Sequence, residues 1–381
     1  MQCDFNCDAW NISGVACDIL LELMRDAKTG KMIHNQHLIP TNLDEHFFIK
    51  PPAEGTDLAR ATDEDLRMYG LPHRPDPKAL PNAARAWLRA MRRIKRFVVP
   101  QLTVRHDYLF RPIRPSRAAT GTAAEAGATS NWGGLVMTDS PPYQQAWGSW
   151  MIPEIQIPPG GTYPSYSCAI WVGLGGYLND DNLLQAGTAQ AVGADGALEC
   201  FAWYEWYPAP PIMLTGFNVQ AGHTIAVYVG QYDDGSGRGV MTMANLVTGD
   251  AVPVTVVPLP AVDASGNEVS PAIKAPSGLS AEWIVERPDI GIGGPEKYAE
   301  LPDFGEVNFT HAAAVSSVQG MKNEVMAAAS DSKARSLKIF ADDALTLLTD
   351  ELSVPALQVT FQQTAAAQAQ EERAKQTPQS G

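Results

Sequence analysis

The sequence predicts an all-β protein, folded as an antiparallel sandwich or barrel and preceded by a mixed, partly helical N-terminal region. From residue 128 onward, short stretches of apolar and β-forming residues, such as "SCAIWVGLGG" and "HTIAVYVGQY", are separated by Gly, Pro, Asn and Asp. No helical pattern long enough for a parallel crossover lies between them. With 381 residues and 45% hydrophobic content, the chain has enough apolar surface to form a large core.

Residues 1–127 form the predicted N-terminal region, which contains a basic amphipathic helix. In "NAARAWLRAMRRIKRFVV" (82–99), Trp87, Leu88, Met91 and Ile94 recur at helical spacing among Arg and Lys. Such a helix either packs on its own domain or binds a partner. The small, polar run "GTAAEAGATS" (121–130) is typical of a linker and places a domain boundary near residue 127.

Residues 128–363 form the predicted β domain, and residues 364–381 form a low-complexity tail. The stretch "SVPALQVTF" (353–361) would supply a closing strand. Residues 312–336 are rich in Ala and Ser and are predicted to be a partly helical insertion.

The charge of the chain is large and unevenly distributed. The formal net charge is −14, but residues 1–127 hold 18 Lys and Arg against 15 Asp and Glu, so the remainder is strongly acidic. An acidic body repels phosphate backbones and anionic membrane surfaces, which argues against nucleic-acid and membrane partners. A strong electrostatic partner of the body should be basic.

The cysteines and the N-terminus say little about the compartment. Five cysteines are too few for a disulfide scaffold, and whether Cys168 and Cys200 pair is open at this point. No stretch reaches the roughly 18 apolar residues of a membrane span. The first residues carry acids where a signal peptide has basic residues, so no export signal is visible.

The familiar catalytic and metal-binding motifs are absent from the sequence. There is no G-x-S-x-G elbow, no H-E-x-x-H and no paired C-x-x-C, and His223 and His311 are the only histidines of the β domain. His34, His37 and His46 lie close together in the N-terminal region, but solvated loop histidines are the simpler interpretation. We therefore expect no metal and no cofactor, and chemistry that depends on carboxylates and amides.

Seven short motifs, in one order, resemble the glutamic peptidases of peptidase family G1, the eqolisins. They are "SNWGG" (130–134), "IWVGLGG" (170–176), "LLQAG" (183–187), "WYEWYP" (203–208), "NLVTG" (245–249), "AEWIVE" (281–286) and "DFGEVNF" (303–309). The resemblance covers about residues 128–363 and extends neither to the first 127 residues nor to the tail.

The resemblance implies a fold, a catalytic pair and a location. The fold would be a β-sandwich of two antiparallel sheets, lectin-like or jelly-roll in type, with substrate held on one sheet. Gln185 and Glu282 match the family's catalytic glutamine and glutamate, and Trp171 matches a tryptophan that lines the site. Members are typically secreted, so an extracellular location is implied despite the missing signal.

The chemistry of this pair suits peptide-bond hydrolysis. Glu282 would act as the general base on water and then as the acid for the leaving nitrogen, and Gln185 would stabilise the tetrahedral oxyanion. The resemblance thus predicts an acid-acting, pepstatin-insensitive endopeptidase with protein and peptide substrates. Without the motifs, Glu282 would be a solvated strand residue and Gln185 a turn residue.

Four further residues are expected to line the site. Trp132 lies in "SNWGG", Glu205 and Tyr207 share a face because they are two residues apart on one strand, and Glu286 lies four residues beyond Glu282 on the same face. Glu286 would tune Glu282, whereas Glu205 could equally make a structural hydrogen bond. Among the tryptophans of the motifs, at least one should pack between the sheets.

The sequence also departs from the family pattern. Gly175 stands where the commoner segment W-V-G-I-D-G has an aspartate, and Ala189 stands where Q-T-G-x-D has another. Both changes remove an acid near the expected site and leave substrate preference and pH optimum open, but neither touches the catalytic pair.

Two other functions and one regulatory role are consistent with the sequence. The domain could be a non-catalytic, lectin-like sandwich that binds carbohydrate or peptide in an aromatic cleft. It could also be a relative whose cleft is blocked by the N-terminal region. Residues 81–120 hold ten Arg and Lys against one acid, Asp107, so this segment is predicted to cover the cleft at neutral pH and to be released on acidification, as in a zymogen.

Overall fold

A computed structural model gives the fold of most of the chain. It describes residues 38–78, 81–113, 128–138, 142–177, 180–231, 237–256, 261–262, 268–269, 276–291, 294–316, 324–327, 335–341, 346–347, 349–353 and 357–361. His34, His37, the predicted boundary near residue 127 and the tail from 364 lie outside the described residues.

Strands dominate the described residues, and helices are short. The strands are β1 Leu38–Pro40, β2 His46–Ile49, β3 Arg96–Phe97, β4 Gln101–Val104, β5 Ala128–Thr129, β6 Trp132–Met137, β7 Tyr143–Met151, β8 Ser165–Gly175, β9 Leu183–Gly193, β10 Leu198–Tyr207, β11 Ile212–Thr215 and β12 Thr224–Gln231. They continue with β13 Gly239–Asn245, β14 Asp250–Val256, β15 Ala261–Val262, β16 Glu268–Val269, β17 Ala281–Glu286, β18 Glu306–Ser316, β19 Glu324–Ala327, β20 Arg335–Ala341, β21 Thr346–Leu347, β22 Thr349–Ser353 and β23 Leu357–Phe361. The helices are a 3-10 turn Leu58–Arg60, α1 Asp63–Met68 and α2 Pro81–Arg93.

Two large sheets, antiparallel apart from two short parallel edge pairs, confirm the predicted all-β fold. The first sheet has the order β1-β2-β14-β13-β12-β7-β18-β23-β22, and the second has the order β21-β20-β6-β17-β8-β9-β10-β11-β4. Strand β3 joins β14 and β5 joins β20, each in parallel. The two sheets pack face to face, because the inward side chains of both belong to one large apolar cluster.

The N-terminal region adds edge strands to both sheets. Strands β1 to β3 extend the first sheet beyond β14, and β4 extends the second beyond β11. The predicted basic helix is α2, which begins at Pro81 and ends at Arg93. Trp87 and Met91 on its apolar face are buried in a cluster with Ala244 and Ala251 of the first sheet. The helix therefore packs on the sheet that does not carry the predicted catalytic pair.

The interior of the sandwich is filled by alternate residues of each strand. In β17, Ala281, Trp283 and Val285 belong to the cluster between the sheets, whereas Ile284 belongs to a second apolar cluster on the opposite face. Trp206 packs in the interior cluster, as expected for at least one tryptophan. The second sheet is consequently covered on both faces.

The helical interpretation of residues 312–336 is wrong for the residues that are described. Ala313 to Ser316 continue strand β18, which pairs with β7 on one side and with β19 on the other. Alanine has no strong local preference for strand, so the pairing partners decide the conformation.

The question of a disulfide is also answered, because Cys168 and Cys200 are both free. Each is paired with Gln190 on β9, so two strand spacings, about 10 Å, separate them, which exceeds the reach of a disulfide.

Candidate active site

A row of four residues crosses the second sheet where the predicted pair lies. Glu282 on β17 is opposite Gly173 on β8, Gly173 is opposite Gln185 on β9, and Gln185 is opposite Glu205 on β10. Directly opposed residues of antiparallel strands point to the same face. Glu282 and Gln185 are therefore two strand spacings apart, about 10 Å between Cα atoms, and face each other across a residue with no side chain.

Gly173 is required for the packing of this row. A Cβ atom at position 173 would lie 2.7 Å from Cζ3 of Trp171 and 3.1 Å from Cδ1 of Leu183. The space above Gly173 is thus bounded by the tryptophan ring on one side and by the two functional side chains on the others.

Glu282 is a fully buried carboxyl group without a hydrogen-bond partner. Its exposed fraction is 0%, and neither side-chain oxygen is hydrogen-bonded among the described residues. Burial raises the pKa of Glu282 well above its usual range, the nearby hydroxyl group of Ser280 lowers this pKa although it forms no hydrogen bond of normal geometry with the carboxyl group, and the negative charge of Asp180 raises it further. A buried, unpaired acid is costly to the fold and is found mainly where function requires it.

Gln185 is held in one orientation by its neighbours. Its Nε2 group donates to Oε2 of Glu205 at 2.5 Å and to the main-chain oxygen of Phe110 at 2.8 Å. Both amide hydrogens are then used, while Oε1 has no partner among the described residues. Burial raises the pKa of Glu205 well above its usual range, and the nearby Glu286 raises it further.

The next two rows on the side of Trp171 hold three more of the predicted residues. Trp171 lies between Ile284 and Gly187, and its Nε1 group donates to Oε2 of Glu286 at 2.8 Å. Glu286 is opposite Trp132, whose ring meets that of Trp171 edge to face at 4.9 Å. Glu286 thus contacts the tryptophans of the site, and no hydrogen bond joins it to Glu282 among the described residues.

All seven predicted site residues lie on one face of the second sheet. The remaining one, Tyr207, is opposite Leu183 on β9, one row beyond Glu205, and is half-buried. Ala189, one of the two departures from the family pattern, lies on the same face beside Phe201. The face therefore combines three buried carboxyl groups, one amide and a set of aromatic rings.

The chain's own residues 108–113 cross this face. The ring of Phe110 is buried and stacks on Trp203 with 3.7 Å between ring centroids. The main-chain nitrogen of Arg111 donates to Oε1 of Glu286 at 3.0 Å, and Nε1 of Trp132 donates to the main-chain oxygen of Arg111 at 3.0 Å. Farther along, the main-chain nitrogen of Ile113 donates to the oxygen of Gly176 at 3.2 Å.

The main-chain oxygen of Asn182 fills the space where Gly175 lacks a side chain, and the carboxylate of Asp180 lies beside it. Gly175 has a φ of 87°, and a Cβ atom there would lie 3.0 Å from Oδ2 of Asp180. Asp180 also accepts from the main-chain nitrogen of Gly176 at 3.3 Å and from the hydroxyl group of Ser277. An acid is therefore present near Glu282 even though position 175 is glycine.

Sequence reasoning missed three residues at this face. Phe110 has no local signal, because it lies in a segment singled out only for its charge. Asp180 is part of the acidic run "NDDN", and Asp289, whose buried carboxylate lies 2.5 Å from Nε of Arg111, follows a proline. Each is marked only by the side chains that surround it in the fold. Contacts between residues far apart in the sequence would be needed to find them.

The described residues contain no group of three or more His, Cys, Asp and Glu arranged to hold a metal ion. The interpretation of His46 as a solvated loop histidine is wrong, because it lies on β2, is half-buried, and its Nδ1 atom is 2.8 Å from the hydroxyl oxygen of Tyr204. Among the same described residues, no helix has the length and apolar content needed to cross a membrane.

Comparison with known proteins places these features in a family. The model of the peptidase A4 family matches residues 130–339. Aspergillopepsin-2 of Aspergillus niger is 30% identical over 203 residues, which are 49% of this chain and 65% of that protein. Scytalidopepsin B of Scytalidium lignicola is 32% identical over 130 residues, which are 34% of this chain and 45% of that protein. The chain thus spans less than two thirds of the length of either curated relative.

Solved structures of similar proteins are also found. Scytalido-glutamic peptidase with a transition state analog inhibitor is 22% identical, with a TM-score of 0.47 over 61% of this chain and 98% of that chain. Aspergilloglutamic peptidase from Aspergillus niger is 27% identical, with a TM-score of 0.37 over 52% of this chain and 99% of that chain.

Proposed function

The chain belongs to the peptidase A4 family, and on that premise we propose that it is a glutamic endopeptidase that hydrolyses peptide bonds in proteins at acid pH. One observation carries the proposal. Glu282 and Gln185 face each other across Gly173, and Nε2 of Gln185 already binds the carbonyl oxygen of a peptide unit, that of Phe110. A peptide substrate would present its reacting carbonyl to the same amide.

In the proposed reaction, the ionised carboxylate of Glu282 removes a proton from a water molecule as that water attacks the carbonyl carbon. The free Oε1 of Gln185 orients the water, and Nε2 donates to the oxygen as it becomes negatively charged. Glu282, now protonated, gives its proton to the peptide nitrogen, and the carbon–nitrogen bond breaks. The carboxylate returns to its starting state with one carboxyl group and one amine formed.

The carboxyl groups of the face favour the protonated form while residues 108–113 cover them. Burial raises the pKa of Glu205, Glu282 and Glu286, the negative charge of Glu286 raises the pKa of Glu205 further, and that of Asp180 raises the pKa of Glu282 further. A protonated Glu282 cannot take a proton from water, so the covered site is inactive in acid. When residues 108–113 leave the face and water enters, part of the desolvation is removed, and Glu282 can then ionise at a lower pH.

Glu205 and Glu286 act on the reaction through other residues. Glu205 accepts from Gln185 and so turns the amide with its nitrogen toward the carbonyl. Glu286 accepts from Trp171 and from the main-chain nitrogen of Arg111, and we propose that it binds the same group of a substrate. Both are positioning residues in this proposal.

The chain's own N-terminal segment is proposed to be an inhibitor of the site. It binds through residues 108–113. The main-chain oxygen of Phe110 accepts from Gln185, the proposed oxyanion donor, and the main-chain nitrogen of Arg111 donates to Glu286. The basic helix α2 packs elsewhere, so its charge would hold the segment to the acidic body without covering the site.

A non-catalytic, lectin-like sandwich is the alternative, because the same face binds an extended peptide through aromatic rings and main-chain contacts. A casein digestion from about pH 2 to pH 7, with and without pepstatin, decides between the two. A peptidase of the proposed type cleaves casein in the acid part of this range and is unaffected by pepstatin. Binding of peptide without cleavage at any pH would favour the alternative.

A further inference from the structure

Residues 109–113 are held on the site face by three kinds of contact. The first kind uses only the peptide main chain: the oxygen of Phe110 accepts from Gln185, the nitrogen of Arg111 donates to Glu286, and the oxygen of Arg111 accepts from Trp132. Any extended peptide can make these contacts. They contribute affinity but no preference for particular side chains.

The second kind of contact depends on the side chain of Phe110. Its ring is fully buried and lies nearly parallel to the ring of Trp203, with an angle of 23° and 3.7 Å between centroids. Phe201, on the same strand as Trp203, belongs to the same apolar cluster. Stacked aromatic pairs favour an aromatic side chain over an aliphatic one of similar size. This part of the face is therefore an aromatic subsite.

A separate contact depends on the side chain of Arg111. Its Nε group lies 2.5 Å from Oδ2 of Asp289, whose side chain is fully buried. The other oxygen, Oδ1, accepts from the main-chain nitrogens of Gly291 at 2.7 Å and Lys297 at 3.0 Å. These two hydrogen bonds fix the carboxylate with Oδ2 directed at the guanidinium group. Asp289 therefore forms a preorganised anionic subsite next to the aromatic one.

We propose that Trp203 and Asp289 form adjacent subsites that select substrates in which an aromatic residue is followed directly by arginine. The inference rests on the proposed function, because the carbonyl held by Gln185 is then the one that reacts. The bond between Phe110 and Arg111 lies at that position in the structure. The aromatic residue would belong to the acyl side of the cleaved bond and the arginine to the amine side.

The test is a competition between matched peptides in one reaction with the full-length enzyme. The first octapeptide has the sequence of residues 106–113, "HDYLFRPI", and the others replace its Arg by Gln or its Phe by Ala. When two peptides compete in one reaction, their relative rates of consumption give the ratio of their kcat/KM values. This ratio does not depend on the fraction of enzyme molecules from whose site face residues 108–113 have been released. The assay is run at the upper end of the active pH range.

We expect the Phe-Arg peptide to be consumed at least ~10-fold faster than the Phe-Gln peptide, as for the loss of one hydrogen-bonded charge. In Asp289→Asn this preference should fall toward unity, while the preference for Phe over Ala remains. Asparagine can still accept from both main-chain nitrogens. The matched control is Asp303→Asn. Like Asp289, Asp303 accepts a hydrogen bond from the main-chain nitrogen two residues later in the chain, that of Gly305 at 2.9 Å, so the control should keep the preference of the wild type.

Each outcome decides the inference. Equal consumption of the Phe-Arg and Phe-Gln peptides overturns it, and the wild-type measurement gives this result even if Asp289→Asn fails to fold. If Asp289→Asn keeps the preference for the Phe-Arg peptide over the Phe-Gln peptide, Asp289 does not form an anionic subsite, and the inference is overturned. If neither the peptides nor casein are cleaved, the proposed function itself is overturned, together with the preference that rests on it.

Discussion

The main-chain oxygen of Phe110 accepts a hydrogen bond of 2.8 Å from Nε2 of Gln185. The amide proposed to stabilise the oxyanion is therefore already used by the chain's own peptide unit. Catalysis on another chain requires this hydrogen bond to break. Activation and catalysis thus depend on the same atom, and the first two predictions concern its release.

Shortening Phe110 should weaken the hold of the segment on the face. Phe110→Ala removes the stack on Trp203, and loss of a buried phenylalanine typically costs about 3–5 kcal/mol. We expect the full-length variant to cleave casein with a shorter lag and a higher initial rate than the wild type. Progress curves at acid pH measure both quantities. The control is Val99→Ala at a residue that is 61% exposed; an unchanged lag in Phe110→Ala would show that the segment does not inhibit.

Acidification should release and remove the N-terminal segment. At low pH many carboxylates of the acidic body become neutral, so the attraction to residues 81–120 weakens while the enzyme becomes active. We expect full-length protein held near pH 3.5 to be cut near "GTAAEAGATS" (121–130), where one enzyme molecule can reach the linker of another, or at the Phe110–Arg111 bond that lies at the site. Sequencing of the new N-terminus locates the cut. A chain that stays intact and is equally active with and without residues 1–127 would exclude the zymogen role.

His46 should make the N-terminal part of the fold sensitive to acid. Burial lowers the pKa of His46 to about 4, below its usual value near 6.5. As the pH falls between these values, the unfolded chain binds a proton that the folded chain does not. The contribution of His46 to stability is therefore present above pH ~6.5 and lost as the pH falls through about 4, a change of about 3 kcal/mol.

The test of this pH dependence is urea unfolding of wild type and His46→Gln near pH 7 and pH 4. Glutamine does not titrate and can still pair with the hydroxyl group of Tyr204. The loss of unfolding free energy on acidification should be smaller by about 3 kcal/mol in His46→Gln than in wild type. The exposed His106→Gln serves as the control and should behave as wild type. Equal losses in His46→Gln and wild type would contradict the prediction.

Glu205 should matter for the rate of the reaction more than for binding. Glu205→Leu removes the acceptor that orients Gln185, so we expect kcat to fall by roughly 10²-fold with a small change in KM. Glu205→Gln should recover much of the rate, because its carbonyl oxygen can accept the same hydrogen bond. Steady-state kinetics on a single peptide separates the two constants. A kcat that is the same in all three proteins would show that Glu205 does not orient the amide.

Strand alternation and motif order were enough to place the predicted side chains on one face. Glu282 and Glu286 share a face because they are four residues apart on one strand, and Glu205 and Tyr207 share a face because they are two residues apart. The register that brings Gln185 opposite both Gly173 and Glu205 follows from pairing between strands, which a single sequence does not specify.

Features formed by distant segments were not predictable. Strands β2, β3 and β4 join the two sheets through partners more than a hundred residues away, and no local pattern identifies those partners. The alanines of β18 were wrongly assigned to a helix because their conformation is decided by pairing with β7. Likewise, Asp289 is identified as a binding residue only by its contact with Arg111.

The proteolytic activity of Glu282→Gln tests the proposed mechanism most directly. Glutamine keeps the size of the side chain but can neither remove a proton from water nor return it to the leaving nitrogen. Because both oxygens of Glu282 are buried without hydrogen-bond partners among the described residues, the melting temperature near neutral pH should be unchanged or higher. Glu154→Gln, at an exposed loop position, is the matched control. We expect Glu282→Gln to lose nearly all casein cleavage while it remains folded; activity above about a tenth of wild type would contradict the role of Glu282 as the base.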